Sequence, residues 1–359
     1  MTIEFRIAKD DDAKEWDAII SQSPQGTLFH QWDWLKITEK HTQSKLYPLI
    51  GEKGTTPIGL IPLFLQKKGP IRMVFSPPPH AALFYLGPLI IGYNTLKQSK
   101  REINYIEFQN SVDSFIKNEL KAHYISISLP PELLDPRPYI WSGYTAELHY
   151  DYRINLMQGC DYLLQTVDKN QRQNLNRAQK KGIIVELGGK KEYEQILDLM
   201  EIRYAQQGKK VMVSRQYFLE IYDKYKDNLK IFVAKVDDKV VTGSIDFQYR
   251  DTHYSWIGNP KSKTRISPSP NDLLIWESVR YAYEHGFRYY ITMSAAGDKR
   301  LHSYYASKFD PELKAHFSVK KNTNLTGILE KGYTSFIKSL IGKAKQSKNN
   351  ALDRNIKIE

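Results

Sequence analysis

Two kinds of hydrophobic spacing alternate along the chain. Short apolar runs with period-two alternation predict strands at residues 3–7, 46–51, 58–65 and 124–129, and again at 183–187, 230–236, 239–249, 252–258 and 289–292. Between them, apolar positions three and four apart predict helices near 11–20, 111–121, 193–205 and 215–225. A further helix is opened by Ser269 and Pro270 and closed by Gly286. Turn residues at Gly54-Thr55-Thr56-Pro57, Asp237-Asp238 and Arg250-Asp251 join neighbouring strands into antiparallel pairs. Strands and helices emerge twice in this order, so the expected fold class is α/β with mixed sheets in two similar domains.

Two stretches depart from either spacing. Residues Leu129–Trp141 hold four prolines, each of which fixes the backbone and removes an amide donor, so they read as a rigid crossover and not as a regular helix or central strand. Residues 169–181 read as a basic helix that Gly182 stops, with five cations and only Leu175 and Ala178 to bury. Lys169, Gln173, Arg177 and Lys180 recur along one face of it. That face is either a phosphate rail, with Arg172 beside it, or a solvated charged surface.

These stretches, in this order, resemble the junction between the tandem domains of the Fem-type acyltransferases, which include the peptidoglycan interpeptide-bridge aminoacyltransferases and the BioF-like acetyltransferase-domain proteins. Further similar pieces are collinear: Thr27–Lys36, Gly59-Leu60-Ile61-Pro62-Leu63, Leu86-Gly87-Pro88-Leu89, Asn271–Glu277 and Ser307-Lys308-Phe309. The resemblance implies two tandem GNAT domains: residues 1–153, completed by about 317–342, then 154–316, then a basic tail at 343–359. It implies an N-acyltransferase that moves an acyl or aminoacyl group onto an amine of a cell-envelope precursor. Aminoacyl-tRNA is the preferred donor, and no cofactor is tightly bound.

The same resemblance suggests a catalytic cation near Lys308. Aligning Phe309 with the family's second Phe puts Tyr305 at the first, but Ala306 where the family has Lys, so Lys308 becomes the substitute. It also suggests acceptor binding by Lys36, Arg203, Arg215 and Tyr217, with Trp256 and Asn271 alongside. Acyl transfer to an amine needs a neutral nucleophile and donors for the developing oxyanion. Asp246, His253, Tyr254 and Trp256 lie on adjacent central strands, and alternation puts Tyr254 and Trp256 on one face and His253 on the other. Tyr254 is the candidate catalytic donor among them; the bland reading is an aromatic sheet core.

Acyl-CoA enzymes of this fold wrap pyrophosphate in backbone amides at a helix start. Here that start reads Arg265-Ile266-Ser267-Pro268-Ser269-Pro270, where two prolines remove two amides. An acyl-CoA-dependent N-acetyltransferase remains the alternative, as does a non-catalytic protein that binds an envelope glycan or lipid.

Composition adds three constraints. Cys160 is the only cysteine, so no intrachain disulfide forms, and nine scattered histidines offer no ligand spacing, so no metal is expected. The net charge is +12, and residues 320–359 carry nine of the cations against three acids, which points either to an anionic partner such as tRNA, a nucleotide sugar or lipid headgroups, or to surface lysines that keep the protein soluble. Apolar residues recur at helical spacing over 327–345, which either docks on the first domain or touches a membrane surface. The expectation is a cytoplasmic monomer without a signal peptide, with peripheral membrane contact only in the second of these two cases.

Overall fold

The computed structural model describes residues 3–258, 260, 266–293, 309 and 311–322. The first half runs β1 (Glu4–Ile7), α1 (Ala13–Gln22), α2 (Trp32–His41), β2 (Lys45–Lys53), β3 (Thr56–Lys68), β4 (Ile71–Ser76), β5 (Leu89–Ile90), α3 (Gln98–Phe115), β6 (Tyr124–Ser128), α4 (Arg137–Trp141) and β7 (Thr145–Asn155). The second runs α5 (Cys160–Thr166), α6 (Lys169–Lys180), β8 (Ile184–Gly188), α7 (Lys190–Gln206), α8 (Arg215–Tyr225), β9 (Leu229–Val236), β10 (Lys239–Tyr249), β11 (Thr252–Gly258), α9 (Pro270–Glu284), β12 (Tyr289–Thr292) and β13 (Glu312–Asn322).

The two halves share one mixed sheet, ordered β1-β2-β3-β4-β6-β13-β7-β12-β11-β10-β9-β8, with β5 beside β3. Its centre is an exchange. β13, from the end of the described chain, pairs with β6, while β7, from the first half, pairs with β12. β7 and β13 then pair with each other over nine positions, so the halves are hydrogen-bonded together through their last strands.

On one face, Trp16, Phe29 and Trp34 from the first half share a core with Tyr217, Phe218 and Trp256 from the second, and α2 packs on α8. On the other face each half keeps its own core: Tyr105 and Phe108 of α3 cover the first, and Leu274 and Val279 of α9 cover the second. Apolar burial is worth about 25 cal/mol per Å², so a core common to both halves makes them cooperative.

Local chemistry explains the boundaries. Asp237 and Asp238 take φ of 48° and 58°, the paired left-handed turn that matches strand twist, and Gly182 at φ 73° ends the basic helix. The proline stretch holds one element that the sequence reading excluded. α4 starts after Pro136 with Pro138 in its first turn, where the missing amide donor breaks no bond, and Tyr139 there is fully buried. Arg137 pairs with Asp135 at 2.8 Å and Glu102 at 2.6 Å, fastening the crossover to α3.

His30 illustrates what this packing costs in acid. Its ring bonds Leu86 O at 2.8 Å and Thr27 Oγ1 at 2.9 Å, and burial lowers its pKa to about 4. The unfolded chain takes up that proton near pH 6.5 while the folded one resists it, so stability is expected to fall as pH drops from about 6.5 towards 4. Urea titrations at pH 7 and 4.5 should differ by on the order of 2 kcal/mol for this residue, and His30→Gln should narrow the gap.

Candidate functional site

The exchange of strands at the sheet centre builds a cavity between the halves. Cross-strand register sets Lys314 opposite Asp151, Arg153 opposite Ile291, Ile291 opposite Tyr254, and Tyr289 opposite Thr252. Alternation sends all of these side chains to one face. Over that face arch Pro24–Thr27 between α1 and α2, Tyr85, Pro131 and Glu132, and the turn Tyr249–Asp251. They enclose about 190 Å³, a volume suited to an amino-acid-sized group.

Asp151 is the distinctive group in this cavity. It is 2% exposed, and loss of water raises its pKa to about 7. Near neutrality it is therefore divided between carboxylate and carboxylic acid, as a general base should be. Two phenols stand with it. Tyr254 stacks on Phe247 at 4.5 Å, and burial holds its hydroxyl protonated well above the ordinary range. Burial does the same for Tyr85, helped by Tyr254 and Asp151.

Two of the cavity's cations are committed elsewhere. Arg153 binds Glu312 at 2.6 Å with its guanidinium 4.2 Å from the centre of the Tyr289 ring, and Arg250 donates to the carbonyls of Ile20, Ser21 and Ser23. Lys314 has neither hydrogen bond nor ion pair among the described residues. The arrangement offers a base, two neutral hydroxyl donors and a cation.

The sequence-named residues are dispersed. Tyr254 lines the cavity. Trp256, two residues on, lies in the shared core and donates its indole N–H to Ala82 O at 2.8 Å. Tyr217 is fully buried and accepts the Trp34 indole N–H at 2.9 Å. Lys36 projects from α2 to Asp10 and Glu39, each at 3.5 Å, while Arg215 binds Asp198 at 2.8 Å and Glu201 at 3.4 Å. Arg203 reaches Gln206 on its own helix, and Asn271 is half-buried in the first turn of α9. Lys308 and Tyr305 lie outside the described residues, as do Ala306 and the segment 327–345.

On α6, Lys169, Arg177 and Lys180 are exposed, whereas Arg172 donates to the carbonyls of Leu164 and Gln165 and so caps α5. Lys181 at the helix end donates to Ser267 O at 2.8 Å, joining the basic helix to the turn before α9. Asp246 and His253 face away from the cavity. Both are fully buried, and Asp246 Oδ2 accepts from Ser278 Oγ at 2.6 Å and His253 Nε2 at 3.1 Å, which ties α9 to the strands beneath it.

Each half has one pair of parallel strands, β4 with β6 and β11 with β12. In the second, β11 runs to Gly258 after β12 has ended at Thr292. In the first, the gap beyond β4 and β6 is filled by the chain itself: Leu86 N–H bonds Ser128 O and Gly87 N–H bonds Ser76 Oγ, each at 3.0 Å. Gly87 takes φ +65°, and a Cβ there would lie 3.0 Å from Ser128 O.

Among the described residues no group of three or more His, Cys, Asp or Glu could hold a metal, and no helix is long and apolar enough to cross a membrane.

Residues 167–300 match the acetyltransferase (GNAT) domain family. No curated protein matches the chain. Among solved structures, FemX superposes with a TM-score of 0.63 at 15% identity, covering 90% of this chain and 98% of its own. A tandem GNAT protein from the clavulanic acid biosynthesis pathway gives 0.54 at 12%, covering 89% and 98%. The C-terminal domain of a lysylphosphatidylglycerol synthetase described as putative, from Agrobacterium fabrum, gives 0.51 at 12%, covering 87% and 92%. Residues 167–300 thus form a GNAT-type acetyltransferase domain, within a fold that the whole chain shares with FemX and the tandem GNAT protein.

Proposed function

We propose that the protein transfers an aminoacyl group from aminoacyl-tRNA to an amine of a cell-envelope precursor, and that the amine is bound in the cavity between the halves. The observation that carries this reading is Asp151, held close to neutrality beside two protonated phenols. The amine nitrogen attacks the donor's ester carbonyl, Asp151 takes the proton that nitrogen sheds, and Tyr254 and Tyr85 donate to the tetrahedral oxygen. The C–O bond then breaks, and protonated Asp151 returns its proton to the leaving oxygen.

The tRNA donor is supported by the exposed cations of α6, by Lys181 joining them to the α9 start, and by Pro268 and Pro270, which contribute no amide N–H there. Likeness to FemX and to the lysylphosphatidylglycerol synthetase domain supports an envelope acceptor. The basic composition fits nucleotide-linked and lipid-linked acceptors alike.

Incubation of the purified protein with envelope precursors and either radiolabelled aminoacyl-tRNA or acyl-CoA tests the donor. Label should move from tRNA only. Transfer from acyl-CoA alone would replace the donor, and transfer from neither would overturn the reading. Mass spectrometry of precursors from a deletion strain should show the unmodified acceptor accumulating.

A further inference from the structure

We infer that His316 is the positioning residue for Asp151: its Nδ1–H holds the carboxyl Oδ2, so that the proton exchanged with the ligand is confined to Oδ1. The inference rests on the reading of Asp151 as the base, and it adds the group that aims that base. Asp151 Oδ2 and His316 Nδ1 are both buried without a hydrogen-bond partner, and they lie 3.7 Å apart. A hydrogen bond needs about 2.7–3.2 Å, so a small turn of either side chain closes the contact. Buried polar atoms are seldom left unpaired without a use, and here each is the other's nearest remedy.

Two strands from distant parts of the chain set this pair up. In the β7–β13 ladder Lys314 stands opposite Asp151 and His316 opposite His149, which makes Asp151 and His316 diagonal neighbours on one face of the sheet. The His316 ring stacks on His149 at 5.4 Å and meets the Tyr85 ring edge-on at 5.7 Å. His149 is anchored in turn, with its Nε2 2.8 Å from Ser318 Oγ. Rings packed on two sides hold the imidazole in its plane.

The surrounding charges leave one way for the pair to bond. Arg153 of β7 is held by Glu312, and Arg250 by the carbonyls that end α1. Lys314, Glu132, Asp251 and the phenols of Tyr85 and Tyr254 border the same cavity, but it is His316 whose nitrogen stands beside Oδ2. Burial and the neighbouring His149 lower the His316 pKa to about 4, so near neutrality the ring is uncharged and carries one N–H. A carboxylate offers acceptors only, so the ring meets it through Nδ1–H. That bond favours the ionised form, against the burial that raises the carboxyl. It also occupies Oδ2, which leaves Oδ1 to take the amine's proton and to return it to the leaving oxygen.

Nitrogen NMR of the imidazoles in the full chain, with His316 assigned by through-bond correlation, should show the Nδ1–H form at pH 8; this reading needs no variant to fold. The Asp151 carboxyl, followed by carbon NMR and assigned with Asp151→Asn, should titrate at about 7 in wild type. In His316→Phe, which keeps a ring and loses both nitrogens, it should titrate about one pH unit higher, and in His316→Asn, whose amide donates from a similar place, it should return to the wild-type value. With that shift kcat at pH 7 should fall about fivefold in His316→Phe, while KM stays within about twofold. The Nε2–H form at pH 8, an Asp151 titration unmoved in His316→Phe, or a shift that His316→Asn leaves in place would overturn the inference. Both NMR readings are made without turnover. A shifted titration beside a failed transfer assay would count against the proposed reaction alone, and transfer with an unmoved titration would count against His316 alone.

Discussion

Asp151→Asn is expected to lower kcat/KM by about 10²- to 10⁴-fold, the usual worth of a positioned general base, and at the same time to stabilise the fold at pH 8. Both effects come from one cause. Burial raises the carboxyl from 3.8 to about 7, so the folded protein keeps a proton that the unfolded chain has already released. Between those values the folded state binds more protons, and stability falls as pH rises. The deficit is complete above pH 7 and, at about 1.4 kcal/mol for each pH unit, reaches on the order of 4 kcal/mol.

Asparagine has the shape of the protonated acid and never ionises. The variant should match wild type in urea at pH 4 and exceed it by a few kcal/mol at pH 8. In the active protein kcat/KM should climb through about pH 7 as the carboxylate forms. An Asn variant that keeps its activity, or a stability difference that is the same at both pH values, would remove Asp151 from the mechanism.

The sequence exposed Tyr254 but hid Asp151, and the reason is physical. Tyr254 follows a tight turn in an alternating run whose strand bounds, Thr252–Gly258, could be read directly. Asp151 also lies in an alternating run, with Glu147, His149, Asp151 and Arg153 on one face and Leu148, Tyr150, Tyr152 and Ile154 on the other. That strand, β7, lies between the prolines and the basic helix, where no turn residues mark it as one of a pair. Even when recognised as a strand, its polar face looks solvent-bound. It becomes an interior face only because β13, some 160 residues later in the chain, pairs alongside it.

Other differences follow the same line. The second half was legible because Ser269, Pro270, Asp237, Asp238 and Gly286 mark element ends by local backbone chemistry. In the first half, α3 has apolar residues on all sides, so its start at Gln98 carried no periodic signal, and β4 is only six residues long. Arg215 and Tyr217 fit an acceptor site by residue type. Three-dimensional neighbours gave Arg215 two close carboxylates and gave Tyr217 a tryptophan from the other half.

That tryptophan carries the second large effect. Trp34 is fully buried on α2, yet most of its ring neighbours belong to the second half: Tyr225 at 4.8 Å, Trp256 at 5.4 Å and Phe247 at 6.3 Å. Its own half supplies Phe29 at 5.2 Å. Trp34→Ala should cost about 3–5 kcal/mol in lost packing, and the buried Tyr217 hydroxyl also loses its indole donor. Against a total of about 5–15 kcal/mol for a folded protein, that loss is enough to unfold much of the population at 37 °C.

Trp34→Phe keeps part of the aromatic contact while removing the N–H and some volume, so it should cost less than the alanine variant, about 1–3 kcal/mol. Wild type should unfold in a single transition by near-ultraviolet and far-ultraviolet circular dichroism alike, since the halves share both a sheet and a core. Should Trp34→Ala unfold at the wild-type urea midpoint, the shared core would not be what joins the halves, and the cavity between them would rest on the β7–β13 ladder alone.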